Sequence, residues 1–175
     1  MNKYISLFVF LVIFSFSASA QTLAYVDSEY VLQHIPEYSS AQKQLNAMAE
    51  LWQKDINDKF AEVEKMKLDY KADQVLLTED MRKKRELEIF QKEQQANDLQ
   101  QAKFGFEGEL YKEKLRLIKP IQDRVAKAIE EYANKENIDL VLDKSTVTLL
   151  FARANFNGTN DVIIKLGYKP GSFAN

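Results

Sequence analysis

Residues 37–104 read EYSSAQKQLNAMAELWQKDINDKFAEVEKMKLDYKADQVLLTEDMRKKRELEIFQKEQQANDLQQAKF and contain neither glycine nor proline. The stretch is rich in Ala, Leu, Lys, Glu and Gln, which are strong helix formers. Two segments of strand composition bracket this helical zone, one at 23–27 (LAYVD) and one at 138–143 (IDLVLD). The pattern predicts an α+β fold, with a long helical insertion between the first and second strands of a small sheet.

An apolar stripe runs along the first half of the insertion at spacings of three and four residues. That spacing is typical of a coiled-coil seam, which needs a partner helix to bury it. The stripe consists of Leu45, Met48, Trp52, Ile56, Phe60, Val63, Met66 and Tyr70. A second stripe is predicted at Leu87, Phe90, Phe104, Tyr111, Leu115, Ile118, Ile121, Val125, Ile129 and Tyr132.

The two stripes are expected to face each other in an antiparallel hairpin with its tip at residues 73–80. Thr78 is a plausible N-cap there, and Glu79 and Asp80 suit the positive end of the helix that follows. The alternative, one continuous rod to about Asn137, would be roughly 150 Å long and would separate the two strands. A hairpin brings the strands within pairing distance, and residues near 60 and 94 then face each other.

Continuing the second stripe through the hairpin places amides in the seam, at Gln94, Asn97 and Gln101. Amides in a seam fix register at a cost in stability. These amides either fix the register of the two helices or make the arm more flexible, and the sequence favours neither interpretation.

Three residues interrupt the helical pattern nearer the body, namely Gly105, Gly108 and Pro120. Glycine weakens a helix, and proline is expected to kink it. The glycines either admit close packing against Ala47, Ala49 and Trp52, or act with Pro120 as hinges of the arm.

The remaining segments predict a small body. Residues 138–143 and 146–151 read as strands, 161–166 as a short helix, and the tail from Tyr168 as loose. Such a sheet has open edges and little core of its own, so we expect self-association. The predicted division is 21–36 for the first strand and lead-in, 37–119 for the arm, and 120–175 for the rest of the body.

The first twenty residues predict a cleavable signal peptide. Lys3 precedes an apolar run over 5–16, and Ala18-Ser19-Ala20 fits the small-x-small cleavage pattern, so cleavage is expected after Ala20. The alternative is a membrane anchor, for which the run is short. The mature chain would be exported and carry a net charge of −3, since Lys3 is the single charged residue removed.

The composition gives little support for catalysis or for a metal or cofactor site. The chain has no cysteine, and its single histidine, His34, is expected to be a packing or surface residue. No Gly-rich phosphate loop is present, and the carboxylates alternate with lysines as on a solvated helix face. We expect neither an enzyme nor a cofactor or metal, and the acidic balance gives no argument for nucleic-acid binding.

One concentrated basic run lies near the hairpin tip, at Arg82, Lys83, Lys84 and Arg85. It is either part of a solvated helix face or a contact for anionic envelope lipid.

The order of these elements resembles the Skp/OmpH family of periplasmic chaperones. The resemblance rests on the strand at 23–27, the long hairpin, Pro120-Ile121-Gln122 and the strand at 138–143. It implies a homotrimer with a central β-barrel body and three helical tentacles around a cavity. That cavity would hold unfolded outer-membrane proteins without ATP. Family members are markedly basic, whereas this chain is mildly acidic, so long-range electrostatic capture of clients is not expected outside the basic run.

Apolar residues left over from the seam are the candidates for client contact, namely Leu51, Leu68, Leu99, Phe106 and Leu110. A structural coiled-coil spacer or adaptor of the cell envelope would explain the arm equally well. An envelope-lipid binder acting through the basic run is a third hypothesis.

Overall fold

The computed structural model describes residues 21–173. The predicted signal peptide and its cleavage site at Ala20 lie outside the described residues. The elements, in chain order, are strand β1 (Leu23–Val26), helix α1 (Ser28–Leu32), helix α2 (Pro36–Asp73), a 3-10 turn (Gln74–Leu76), helix α3 (Glu79–Phe104), helix α4 (Glu109–Glu136), strand β2 (Leu140–Asp143), a second 3-10 turn (Ala154–Phe156) and helix α5 (Thr159–Lys165).

Helices α2 and α3 form the predicted antiparallel hairpin. Pro36 occupies the first turn of α2, where its missing N–H costs no hydrogen bond. At the tip, the Thr78 side chain accepts a hydrogen bond from the Met81 amide, and Glu79 and Asp80 lie in the first turn of α3. The predicted N-cap and the predicted turn are therefore confirmed, and the turn is built without glycine.

The seam confirms the stripe of the first helix and corrects that of the second. Leu45, Ile56 and Val63 are buried, whereas Leu87 and Phe90 are exposed. Ile89 and Ala96 take their place, one residue out of phase with the predicted stripe. Gln94, Asn97 and Gln101 are consequently exposed, so the prediction of amides in the seam is wrong.

Ion pairs between α2 and α3 flank the seam. Glu62 contacts Lys92 at 3.0 Å, and Lys67 contacts Glu93 at 2.9 Å. The two carboxylates around Lys67, those of Glu93 and Glu64, raise the pKa of its ammonium group by hydrogen bonding. Such exposed pairs select the alignment of the two helices more than they stabilise it.

The second helical segment is broken between Phe104 and Glu109. Gly105 has an extended backbone, and Glu107 has a φ of 52° in the left-handed region. A Cβ at Gly108 would lie 2.9 Å from the Lys103 carbonyl oxygen, and one at Gly105 would press on the Gln101 carbonyl. The closest atoms to both glycines thus belong to the preceding helical turn, not to Ala47, Ala49 or Trp52 as the packing hypothesis required.

Helix α4 runs without interruption through Pro120. Its end is set by Asn137, whose φ of 52° lets the Ile138 amide donate to the Ala133 carbonyl. A left-handed residue after the last turn is a common way to end a helix.

Strands β1 and β2 form a two-stranded parallel sheet in which Leu23 pairs with Leu140 and Val26 with Asp143. The long helical insertion serves as the crossover that parallel pairing requires. Residues 146–151, predicted as a third strand, form a loop instead. The segment that reaches the other edge of β1 is Asn157–Gly158, through a bridge from Tyr25 and a Gly158 N–H···O hydrogen bond to Tyr25.

The described chain divides into two compact units. One contains residues 21–31 and 125–170, and its core consists of Ala24, Val26, Val31, Val125, Ala128, Val162 and Ile163. The other contains residues 32–124 and the tail from Gly171. The tail is not loose at this point, because the Gly171 amide donates to His34 Nε2 at 3.0 Å and the Phe173 ring lies 4.7 Å from that imidazole.

Candidate functional site

The candidate client-contact residues divide into two groups. Leu51, Leu68 and Phe106 are exposed, and Phe106, in the break between α3 and α4, is 97% exposed. Leu99 and Leu110 are half-buried. The prediction for the first three is consistent with a contact surface, whereas part of Leu99 and Leu110 is covered by the protein itself.

Sequence reasoning assigned two exposed residues, Leu87 and Phe90, to the seam. They lie on α3 away from Ile89 and Ala96, and they add to the apolar surface of the hairpin. The sequence carried a signal for this, because Ile89 and Ala96 are seven residues apart, which is one coiled-coil repeat. Ala96 is small, so it does not stand out in a pattern of large apolar residues.

An open cleft of about 380 Å³ lies beside the break. Phe104, Phe106, Leu110, Tyr111 and Lys114 line it. The break therefore displays several aromatic and aliphatic side chains on a hairpin that is otherwise strongly charged.

Two of the four residues of the basic run near the tip form ion pairs with acidic neighbours. Lys83 contacts Glu79 at 3.1 Å, and Arg85 contacts Glu88 at 3.3 Å. These are pairs along one exposed helix, as on a solvated face. The arrangement gives less support to an anionic-lipid contact than the sequence alone, although Val75 and Leu76 are exposed at the tip.

The unit that contains the sheet has an apolar surface of its own. Leu150 is 95% exposed and Phe151 is 83% exposed. Next to them is a cavity of about 280 Å³, lined mainly by apolar side chains that include Leu23, Leu142, Leu149, Phe151 and Phe156. Large apolar side chains beside an apolar cavity are typical of a surface that another molecule covers.

A polar cluster around Asp143 ties β1 and α1 to the end of β2. Its carboxylate accepts hydrogen bonds from the Ser28 amide (3.1 Å) and hydroxyl (2.6 Å), and from the Ser145 amide (3.0 Å) and hydroxyl (2.8 Å). Partial burial acts to raise the pKa of Asp143, but these hydrogen bonds outweigh it, so the pKa lies below its ordinary value.

The depressed pKa of Asp143 predicts that its contribution to the free energy of unfolding is lost in acid. Because the folded-state pKa of Asp143 is depressed, its contribution is complete above the unfolded-state value, about 3.9, and is lost as pH falls through the folded-state pKa. We expect Asp143→Asn to lower the free energy of unfolding at pH 7 by about 1 to 3 kcal/mol. The difference from wild type should shrink as the pH falls below 4, measured by urea unfolding at each pH. Asp58→Asn, at an exposed site on α2, should leave the curve unchanged.

The described residues hold no group of three or more histidine or acidic side chains arranged to bind a metal ion. His34, which was predicted to be a packing or surface residue, is buried at 2% exposure. Across residues 21–173, no helix combines the length and apolar character needed to cross a membrane.

The sequence profile of the family described as "Outer membrane protein (OmpH-like)" matches residues 22–166, from the start of the sheet to the end of α5. The chain belongs to the OmpH-like family.

A solved structure shows the same fold. It is a protein from Caulobacter crescentus CB15, described provisionally as an outer membrane chaperone (OmpH-like). The TM-score is 0.63 at 11% sequence identity, and the match covers 90% of this chain and 91% of the other. No match was found among curated protein sequences. The predicted family and the predicted fold, a small sheet with a long two-helix insertion, are both confirmed.

Proposed function

We propose that this OmpH-like protein is an ATP-independent holdase chaperone of the periplasm. It binds unfolded outer-membrane proteins and keeps them from aggregating until membrane insertion. The observation that carries the proposal is the hairpin of α2 and α3, which exposes large apolar side chains at Leu51, Leu68, Leu87 and Phe90, and at Phe106 beyond its end.

This surface suits a client without a fixed structure. Single apolar side chains separated by charged residues give many weak contacts and no deep pocket for one ligand shape. Each contact buries part of one side chain, at roughly 25 cal/mol per Å² of apolar area, so binding can be reversible without ATP. Membership of the OmpH-like family supports a chaperone role, and so does the description of the Caulobacter protein.

The proposal includes export and self-association. The apolar run over 5–16 and the Ala18-Ser19-Ala20 pattern support export by a signal peptide. Leu150, Phe151 and the cavity beside them support an assembly of copies of this chain, and we propose a homotrimer. Three hairpins would offer an unfolded chain more contacts than one.

A sharp test is dilution of a denatured outer-membrane β-barrel protein from urea in the presence of the mature chain. We expect light scattering from aggregation to fall, at about one trimer per client. Serine in place of Leu51, Phe90 and Phe106 together should raise the amount of protein required, because each substitution removes apolar contact area. The control replaces three exposed polar residues of α3 by serine, namely Gln91, Gln95 and Asn97.

Unchanged scattering at several-fold molar excess would refute the chaperone proposal. A coiled-coil spacer or adaptor of the envelope would give that result, and would instead retain a folded partner in pull-downs.

A further inference from the structure

The break between α3 and α4 is a point at which the second helical segment can change direction. The backbone of residues Gly105 to Gly108 departs from helical geometry, and the Gly108 amide donates a hydrogen bond to the Gly105 carbonyl at 2.9 Å. Glu107 has a φ of 52°, a region that a glutamate populates only when its surroundings hold it there. The surrounding contacts therefore decide which conformation the break adopts.

One side chain supplies contacts on both sides of the break. The Lys103 ammonium lies 4.7 Å from the centre of the Trp52 ring on α2. The same group forms an ion pair with Glu109, the first residue of α4. The side chain of Lys103 is only 20% exposed, so it is held more firmly than a typical surface lysine.

Aromatic packing anchors this lysine to the hairpin. The rings of Trp52 and Phe104 meet edge to face with their centres 6.3 Å apart. This contact joins α2 to the last residue of α3 immediately before the break. Lys103 thus extends a contact within the hairpin across the break to α4.

We propose that Lys103 is an electrostatic latch that holds α3 and α4 in one relative orientation. With the latch closed, Trp52 and Glu109 share the ammonium group, and Glu107 is kept in its left-handed conformation. With the latch open, the glycine-containing break allows α4 to change its direction relative to the hairpin. Partly exposed ion pairs are weak and screened by salt, so the latch opens reversibly as ionic strength rises.

The latch is independent of the proposed chaperone activity, and it can be measured without a client. The chain has no cysteine, so spin labels can be placed at Gln91→Cys on α3 and Gln122→Cys on α4, both exposed. The labelled mature chain is mixed with excess unlabelled chain, so that distances between copies do not contribute. Pulsed electron–electron double resonance then gives the distance distribution across the break.

We expect a narrow distribution at low salt, and loss of its narrow component in 1 M NaCl, where the Debye length is about 3 Å. Lys103→Met removes the charge and keeps an unbranched side chain of similar length, and its distance distribution should be broad at both salt concentrations. Trp52 is the only tryptophan in the chain, so its emission gives a second readout. Salt should move the wild-type emission towards that of Lys103→Met.

Two variants make the test decisive. Lys92→Met removes a comparable ion pair, with Glu62, from the middle of the hairpin, and should retain the narrow distribution at low salt. Gly105→Ala with Gly108→Ala favours a continuous helix and should give a narrow distribution at both salt concentrations. The proposal is overturned if Lys103→Met keeps the wild-type distribution, or if Lys92→Met broadens it equally.

Discussion

Replacement of Leu150 and Phe151 by serine is expected to abolish the proposed self-association and leave a monomer. Both side chains are almost fully exposed in the single chain and lie beside an apolar cavity. Burial of a Leu or Phe side chain stabilises an interface by about 1.5 to 3 kcal/mol. Loss of both therefore weakens each contact between copies by roughly 3 to 6 kcal/mol, or two to four orders of magnitude in the association constant.

Sedimentation velocity at micromolar concentration measures this directly, with the wild-type chain sedimenting as a trimer and the variant as a monomer. The matched control is Leu51→Ser with Leu68→Ser, which removes two exposed apolar side chains from α2. The control should sediment like the wild type. A monomeric wild type, or a trimeric Leu150/Phe151 variant, would contradict the proposed interface.

The second large effect is a loss of stability on substitution of one of two adjacent isoleucines in α5. Ile163 is completely buried against the core of the sheet unit, whereas Ile164 is 60% exposed. Ile163→Ala leaves a cavity and should lower the free energy of unfolding by about 2 to 5 kcal/mol. Ile164→Ala should change it by less than about 0.5 kcal/mol, because it removes mostly solvated surface.

Urea unfolding followed by circular dichroism compares the two variants at the same protein concentration, since the proposed self-association would make stability concentration-dependent. The helix is the same and the substitution is the same, so the difference isolates packing from helix propensity. Equal losses for the two variants would mean that α5 does not pack on the sheet as the structure shows.

The first half of the hairpin was predictable from the sequence because its pattern is local. Leu45, Ile56 and Val63 recur at helical spacing on one face, and any partner helix would bury them. The tip was predictable for the same reason, since Thr78 caps α3 through a hydrogen bond that spans three residues.

The second half of the hairpin was not predictable from the sequence, because which face of one helix is buried depends on the helix it packs against. Leu87 and Phe90 are larger than Ala96, but Ala96 is the buried residue and the two larger side chains remain exposed. The sequence of α3 alone does not state which of its faces meets α2. Cross-helix contacts such as Glu62 with Lys92 and Trp52 with Phe104 settle the phase.

Residues 146–151 show a second limit of local reasoning. Their composition favours a strand, but the hydrogen bonds of Asp143 with Ser145 and Thr146 hold the chain in a tight turn at the end of β2. One edge of β1 pairs with β2, and the other is approached by Asn157. A strand needs an available edge as well as a suitable sequence, and only the assembled chain shows which edges are taken.

The sequence by itself determined the strands near 23–27 and 138–143, the long helices between them and the antiparallel hairpin, and through them the OmpH-like family. These follow from the apolar periodicity, from helix capping, and from the need for a hairpin to bring the two strands within pairing distance. The first two depend on a few neighbouring residues, and the third depends on the length of the insertion. The tertiary structure alone decided which face of α3 is buried, that the second segment breaks at Gly105 and Gly108 and not at Pro120, and how Lys103 joins Trp52 to Glu109. Those features depend on contacts between residues far apart in the chain, and local propensity does not encode them.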